Sequence, residues 1–323
     1  MTPSASSSDP STGAVRPLAS PLVSRVVVGF SLLGFFLLLV WADATGFAGA
    51  RPAWWLLPVA LVLAVGAAEE LRSLLAARGF AARGAVVIGA MFVPLAAALG
   101  SPAFHGADLA GPPAVACGWA ALALLGGVAA AFLVEIVLYR PQGQALERLL
   151  AAVLMMVVVG LPLSAIVALR LLGMPRGDGT WGPPGLLPLL SLVAVVKSGD
   201  VAAYLVGSTC GRRKMAPILS PGKTWEGVAG SFAGALLAAW IALVVIGQSG
   251  VAGNPGPWGG FGVYGVAVGA AGIMGDLAES LLKREAGFKD SGSTLGGMGG
   301  ILDLTDSLLF AAPVAWLLWT AAG

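Results

Sequence analysis

Long apolar runs separated by short polar breaks dominate this chain. Nine of them stand out, at residues 22–41, 54–70, 84–100, 114–138, 149–168, 185–207, 227–247, 260–282 and 306–321. Most approach the roughly 20 residues that a helix needs to cross a hydrocarbon layer. Helix is the expected form, because backbone polar groups left bare in hydrocarbon must be satisfied within the segment itself. No strand pattern, short repeat or inverted pair of halves is visible. The expected fold class is therefore all-α: a polytopic integral membrane protein of about nine transmembrane helices.

Composition agrees with this pattern. The chain is 58% hydrophobic and 11% charged, against roughly 25% charged residues in a soluble domain. Residues 1–21 are rich in Ser, Pro and Thr without apolar periodicity, and read as a disordered cytoplasmic tail. Residues 22–182 form N-terminal membrane helices, and 183–323 a C-terminal membrane region that holds most of the chemistry. Val26–Trp41 is sixteen residues without a charge, longer than the roughly 7–15 of a signal-peptide core, so it is expected to stay as the first span. Cys117 and Cys210 are too few for a disulfide framework or metal cluster and are expected to pack as small apolar groups. His105 is alone in a Pro/Gly-rich loop. Trp41, Trp54, Trp55 and Trp225 sit near span ends, as in an interfacial belt.

Loop charges orient the chain. With the N-terminus inside, the cytoplasmic side carries thirteen basic residues, among them Arg72, Arg78, Arg83, Arg140, Arg148, Arg212, Arg213 and Lys214; the other side carries three, Arg51, Arg170 and Arg176. The positive-inside bias then puts the N-terminus in the cytoplasm and, after nine spans, the C-terminus outside. The polar loops 208–226 and 283–305 face the compartment that holds nucleotides. No nucleic-acid partner is expected.

Two polar constellations break the apolar background. Lys197 and Asp200 share a helix face, and both are costly at membrane depth unless they pair or line a wet cavity. Ser220-Pro221-Gly222-Lys223-Thr224 then gathers hydroxyls, an ammonium and a glycine backbone, a set suited to phosphate oxygens. In the second constellation, Asp276, Glu279 and Lys283 follow i, i+3, i+7 spacing. Lys283, Arg284 and Lys289 form a basic cluster, and the glycine-rich stretch from Gly296 leads to Asp303 and Asp306. A glycine hairpin can fold these acids back towards Asp276. Carboxylates without histidine or thiol suit Mg²⁺, and neighbouring bases suit phosphates. Together they describe phosphoryl or nucleotidyl transfer. Glu69, Glu70 and Glu135 are expected to be structural, paired with nearby arginines.

At these residues the chain resembles the phosphatidate cytidylyltransferases, or CDP-diacylglycerol synthases. Their signature, S-x-x-K-R, four residues, K-D, then H-G-G-x-x-D-R-x-D, is met by Ser280 to Arg284, Lys289-Asp290 and Met298 to Asp306. The upstream D-x-x-A-Y-x-x-G and S-P-x-K-T-W-E-G elements are met by Asp200 to Gly207 and Ser220 to Gly227. Met298 stands where the family has histidine, Leu304 where it has arginine, and Gly207 is followed by Ser208 rather than a basic residue. These departures leave the level of activity and the choice of substrate open.

The resemblance implies that CTP and phosphatidic acid give CDP-diacylglycerol and pyrophosphate in phospholipid biosynthesis. Asp276, Asp303 and Lys283 would be catalytic. One or two Mg²⁺ ions, with room for a monovalent ion, would be held by Asp276 and Asp303 with Asp306 as a further ligand. Lys283, Arg284 and Lys289 would stabilise phosphate charge. Ser220, Lys223 and Thr224 would hold a phosphate, with Lys197 and Asp200 orienting it. The expected location is the cytoplasmic (inner) membrane, with a homodimer as an open state. Alternatives are a CTP-using lipid kinase acting on a polyprenol, a nucleotidyl transferase on another lipid phosphate, or a catalytically weak relative. A transporter fits less well, since the ionisable residues cluster at cytoplasmic span ends rather than at the midplane of both halves.

Overall fold

The computed structural model describes residues 21–51, 53–80, 83, 85–101, 114–141, 143–175, 181–247, 256–288, 291–292 and 299–322. Tail residues 1–20, His105, Arg176, Lys289, Asp290 and Met298 lie outside the described residues. Within the described residues, nine long helical segments follow in order: α1 (Pro21–Thr45), α2 (Leu57–Ala77), α3 (Ala85–Leu99), α4 (Ala114–Val137), α5 (Ala145–Leu171), α6 (Leu187–Cys210), α7 (Trp225–Ile246), α8 (Gly260–Ala286) and α9 (Ile301–Thr320). Six of them, α4 to α9, are long and apolar enough to cross a membrane. The protein is a predominantly helical, multi-pass membrane protein.

Two short antiparallel hairpins were not expected from the sequence. Gly173–Pro175 (β1) pairs with Trp181–Pro184 (β2) between α5 and α6, and Lys214–Ala216 (β3) pairs with Ser220–Thr224 (β4) between α6 and α7. Strands of three to five residues are too short for a period-two pattern to show, and Pro221 and Gly222 disguise β4 further. Each hairpin has only two strands, so these prolines sit on edge strands, where proline is tolerated. The second hairpin is the stretch read as a phosphate loop. Cys210 also departs from expectation: it is exposed at the end of α6 rather than packed.

Pairing of helix ends fixes the faces of the bundle. Glu135 at the end of α4 meets Arg83 just before α3, at 2.8 Å, and Arg148 at the start of α5, at 2.9 Å. Arg78, after α2, meets Glu285 at the end of α8 at 2.9 Å. These ends share the face predicted to be cytoplasmic. At the opposite end, Tyr264, Ser191 and Trp319 interlock: Ser191 Oγ lies 2.8 Å from Tyr264 Oη, and Trp319 Nε1 donates to Ser191 Oγ at 3.3 Å. Asp43 of α1 and Arg170 of α5 form a buried ion pair.

Helix α9 joins the two halves. Its Leu302 and Leu309 pack with Leu71 of α2 and Met155 of α5, while its Ala311, Ala315 and Trp319 pack with Leu192 of α6 and Val268 of α8. Close approach depends on small residues, as in other membrane helix pairs. A Cβ at Gly234 of α7 would lie 2.6 Å from Ala202 Cβ and Ser198 O of α6. A Cβ at Gly275 of α8 would lie 2.4 Å from Asp306 O of α9. Gly275→Ala therefore pushes α8 off α9 and is expected to cost about 1–3 kcal/mol, seen as a lower thermal midpoint in detergent. Gly272→Ala, whose added Cβ meets atoms only at 3.8–3.9 Å, is expected to leave the midpoint unchanged.

Candidate active site

Helix α8 presents Asp276, Glu279 and Lys283 on one face, and the α8–α9 contact at Gly275 brings Asp306 against them. One carboxylate oxygen each from Asp276, Glu279 and Asp306 lies within 4.8 Å of the others. Glu279 and Asp306 are buried and Asp276 is half-buried. Asp276 Oδ2 is 2.7 Å from Lys223 Nζ, and Glu279 Oε2 is 2.8 Å from Lys283 Nζ. Among the described residues, the second Glu279 oxygen, Oε1, is buried without a hydrogen-bond partner. Such an atom forfeits its hydration with nothing in return. A hard cation would satisfy it, and an all-carboxylate donor set suits Mg²⁺. The residues present thus fit a divalent ion.

Asp303, expected beside Asp276, lies beside Glu279 and against Lys283. Its Oδ1 takes Lys283 Nζ at 2.6 Å. Its Oδ2 accepts from Gly300 N at 2.7 Å, from Ser291 Oγ at 3.0 Å and from Ser291 N at 3.2 Å. Asp303 is residue N3 of α9 and reaches back to the N-cap amide, one half of a capping box. Its geometry is that of an anchor for the loop between α8 and α9, and through Lys283 it borders the acidic group.

The start of α9 is completed by a residue from α2. Glu70 accepts from Ile301 N at 2.9 Å, Leu302 N at 2.8 Å and Ser291 Oγ at 3.0 Å. A buried carboxylate at a helix N-terminus satisfies orphan amides and the positive end of the dipole. That helix end is therefore already filled by an acid. Glu69, as expected, pairs with Arg72, and Glu135 pairs with two arginines. Glu70 also bridges α2 to the loop and helix of the site.

Helix α6 and the second hairpin close the other side. Lys197 Nζ lies 3.3 Å from Asp200 Oδ2 and donates to Leu304 O at 3.2 Å, tying α6 to α9. At Leu304 a backbone carbonyl thus meets Lys197. Thr224 is buried as the N-cap of α7, its Oγ1 accepting from Gly227 N at 3.1 Å. Glu226 receives the backbone amides of Arg212 and Arg213. Arg284 Nε donates to Leu219 O at 3.2 Å, so α8 holds the hairpin turn. Ser220 opens β4, upstream of Lys223 on the same strand.

Five carboxylates, Asp200, Asp276, Glu279, Asp303 and Asp306, stand with three ammonium groups, those of Lys197, Lys223 and Lys283. Sequence reasoning put Glu279 on the polar stripe but did not assign it to the metal; its i+3 spacing from Asp276 was the available signal. Ser291 and Glu70 carried no comparable local signal.

The chain is similar to several known proteins. An uncharacterized protein of Escherichia coli, YnbB, is 43% identical over 130 residues, which are 40% of this chain and 41% of that protein. A phosphatidate cytidylyltransferase of Haemophilus influenzae is 41% identical over 134 residues, 40% of this chain and 44% of that protein. That of Pseudomonas aeruginosa is 35% identical over 208 residues, 54% of this chain and 72% of that protein. The match thus spans less than half of the first two relatives and most of the third. The pattern of the cytidylyltransferase family, in contrast, runs from residue 23 to residue 322. With its acidic cluster and its lysines all inside that span, the chain belongs to the cytidylyltransferase family.

Proposed function

We propose that the chain transfers the cytidylyl group of CTP to phosphatidic acid, giving CDP-diacylglycerol and pyrophosphate, on the cytoplasmic face of the inner membrane. The observation that carries this reading is the junction of Asp276, Glu279 and Asp306, with Lys223 and Lys283 ion-paired to it. The family and the named activity of several relatives support it. Nine crossings, with the N-terminus inside, put this junction at the inner leaflet.

In this reading a phosphatidate phosphate oxygen attacks the α-phosphorus of CTP. The new P–O bond forms as the bond from the α-phosphorus to the bridging oxygen breaks, and pyrophosphate leaves with the electron pair. Asp276, Glu279 and Asp306 would hold Mg²⁺, which when bound offsets charge on the triphosphate. Lys223, on β4, faces the nucleotide side of the cluster and exchanges its contact with Asp276 for a phosphate oxygen. Lys283 pairs with both Glu279 and Asp303 and holds them in place. Lys197 and Asp200 orient the substrate phosphate, Ser220 and Thr224 donate to it from the hairpin, and Arg284 and Lys289 add positive charge. No general base is needed, because a phosphate monoester is already anionic near neutral pH.

The test uses purified full-length chain, phosphatidic acid and CTP labelled in either the α- or the γ-phosphate. Label in the α-phosphate is expected in the lipid product. A γ-label in the lipid would mean a kinase instead, and transfer to a polyprenyl phosphate but not to phosphatidic acid would mean a different acceptor. A chelator is expected to abolish product and Mg²⁺ to restore it; full activity in excess chelator would remove the metal from the reading.

A further inference from the structure

A second site lies away from the acidic cluster. Between α3, α4 and α5 runs a slot of about 590 Å³, within the roughly 300–1,000 Å³ of ligand cavities. Phe92, Leu95, Leu99, Val134, Leu149 and Met156 make it apolar, and glycines and alanines of α4 keep it wide. Helix α4 stands at the edge of the bundle, with Leu122, Leu125, Leu133 and Ile136 exposed on it. The slot is therefore bordered by the bilayer.

At its cytoplasmic end the slot meets Arg83, Glu135 and Arg148. There it adjoins a second cleft of about 590 Å³, lined by Arg83, Arg140, Arg148 and Tyr139 among others. Arg83 and Arg148 belong to both cavities. Glu135 is buried and receives Arg83 Nε at 2.8 Å and Arg148 Nε at 3.0 Å, which fixes the two guanidinium groups beside each other. Across the two linings, three arginines face one carboxylate. This positive excess sits where an apolar slot ends at the membrane surface, and none of Asp276, Glu279, Asp306, Lys223 or Lys283 lines either cavity.

We infer that this site binds one anionic phospholipid, with its phosphate at Arg83, Arg140 and Arg148 and its acyl chain along the slot. Guanidinium forks match phosphate oxygens, and basic pockets between membrane helices on the cytoplasmic side suit anionic headgroups. Occupancy does not depend on the catalytic reading. The slot wall at Ala152 and Met156 belongs to the same helix, α5, whose Met155 and Val159 pack with Leu302 and Leu309 of α9. A lipid held there would brace the helix that supports the start of α9.

Native mass spectrometry of the full chain in detergent tests this. The probes are phosphatidylglycerol and phosphatidylcholine with identical acyl chains. One phosphatidylglycerol is expected to stay bound, with at least about fivefold preference over phosphatidylcholine. Arg140→Gln, an exposed position, is expected to lower retention about fivefold. Gly126→Phe is expected to abolish it, since a Cβ at Gly126 meets no protein atom within 4 Å and the ring would fill the slot. Equal retention of the two lipids, retention unchanged in both variants, or a dimer mass that excludes lipid from the wild-type chain would each overturn the inference.

Discussion

Asp276→Asn is expected to lower CTP-dependent lipid turnover about a thousandfold while the protein still folds. The size follows from the several kcal/mol that a metal and its charge contribute to a transferring phosphoryl group, at about 1.4 kcal/mol per decade. Asp276 is the most exposed of the three grouped acids, with 41% of its side chain accessible. Its neutralisation removes charge from the cluster, and the asparagine oxygen can stay against Lys223 Nζ. Asparagine keeps the shape and one oxygen, so the helical content and the elution profile in detergent should match wild type. The Mg²⁺ concentration for half-maximal rate should rise. A turnover within tenfold of wild type, at unchanged metal dependence, would mean that the cluster does not bind the ion the reaction needs.

Glu70→Ala is expected to cost about 10- to 100-fold in activity although Glu70 lies on α2, outside the region rich in polar motifs. Outer partners that orient metal ligands carry effects of this size. Glu70 holds the amides of Ile301 and Leu302 and the hydroxyl of Ser291; the Ser291 amide in turn holds Asp303, which through Lys283 holds Glu279. Hydrogen bonds to charged groups contribute about 1.5–3 kcal/mol each, so the thermal midpoint should fall as well. Two readouts separate positioning from mere stability. The half-saturating Mg²⁺ concentration should rise in Glu70→Ala, and Glu70→Gln, which keeps one carbonyl oxygen for an amide, should recover part of the rate. A lower midpoint with unchanged kcat and metal dependence at a temperature where the variant is folded would assign Glu70 to stability alone.

The start of α9 shows how far local reading reached. Hydropathy placed the last span at 306–321, with Asp303 and Asp306 at its mouth; the helix begins at Ile301 and both acids lie inside it. The extra turn is possible because Glu70, 231 residues from Ile301, caps it. Hydropathy averages cannot register a cap delivered from another helix. The separation of roles between Asp303 and Asp306 follows from the same turn. They are three apart and share a face, yet the capping geometry commits Asp303 to Gly300, Ser291 and Lys283, and leaves Asp306 for Asp276 and Glu279. Local pairs were more readable: Lys197 with Asp200 and Glu279 with Lys283 are one helical turn apart. The pairs Arg83–Glu135 and Asp43–Arg170 span 52 and 127 residues and had no such signal.

What the sequence determined by itself was whatever one segment settles alone. Apolar length makes helices in lipid, because each span must satisfy its own backbone, and i, i+3 and i, i+4 spacing puts acids and bases on shared faces. The order of the nine helices, the polar stripe of α8 and the family motifs all belong to that class. Tertiary structure decided which carboxylates meet, which one caps a helix instead, and that three arginines gather at the end of an apolar slot. Those outcomes depend on glycine contacts such as Gly275 against Asp306 and on charges brought together from distant segments. Their energies exist only once the helices have packed.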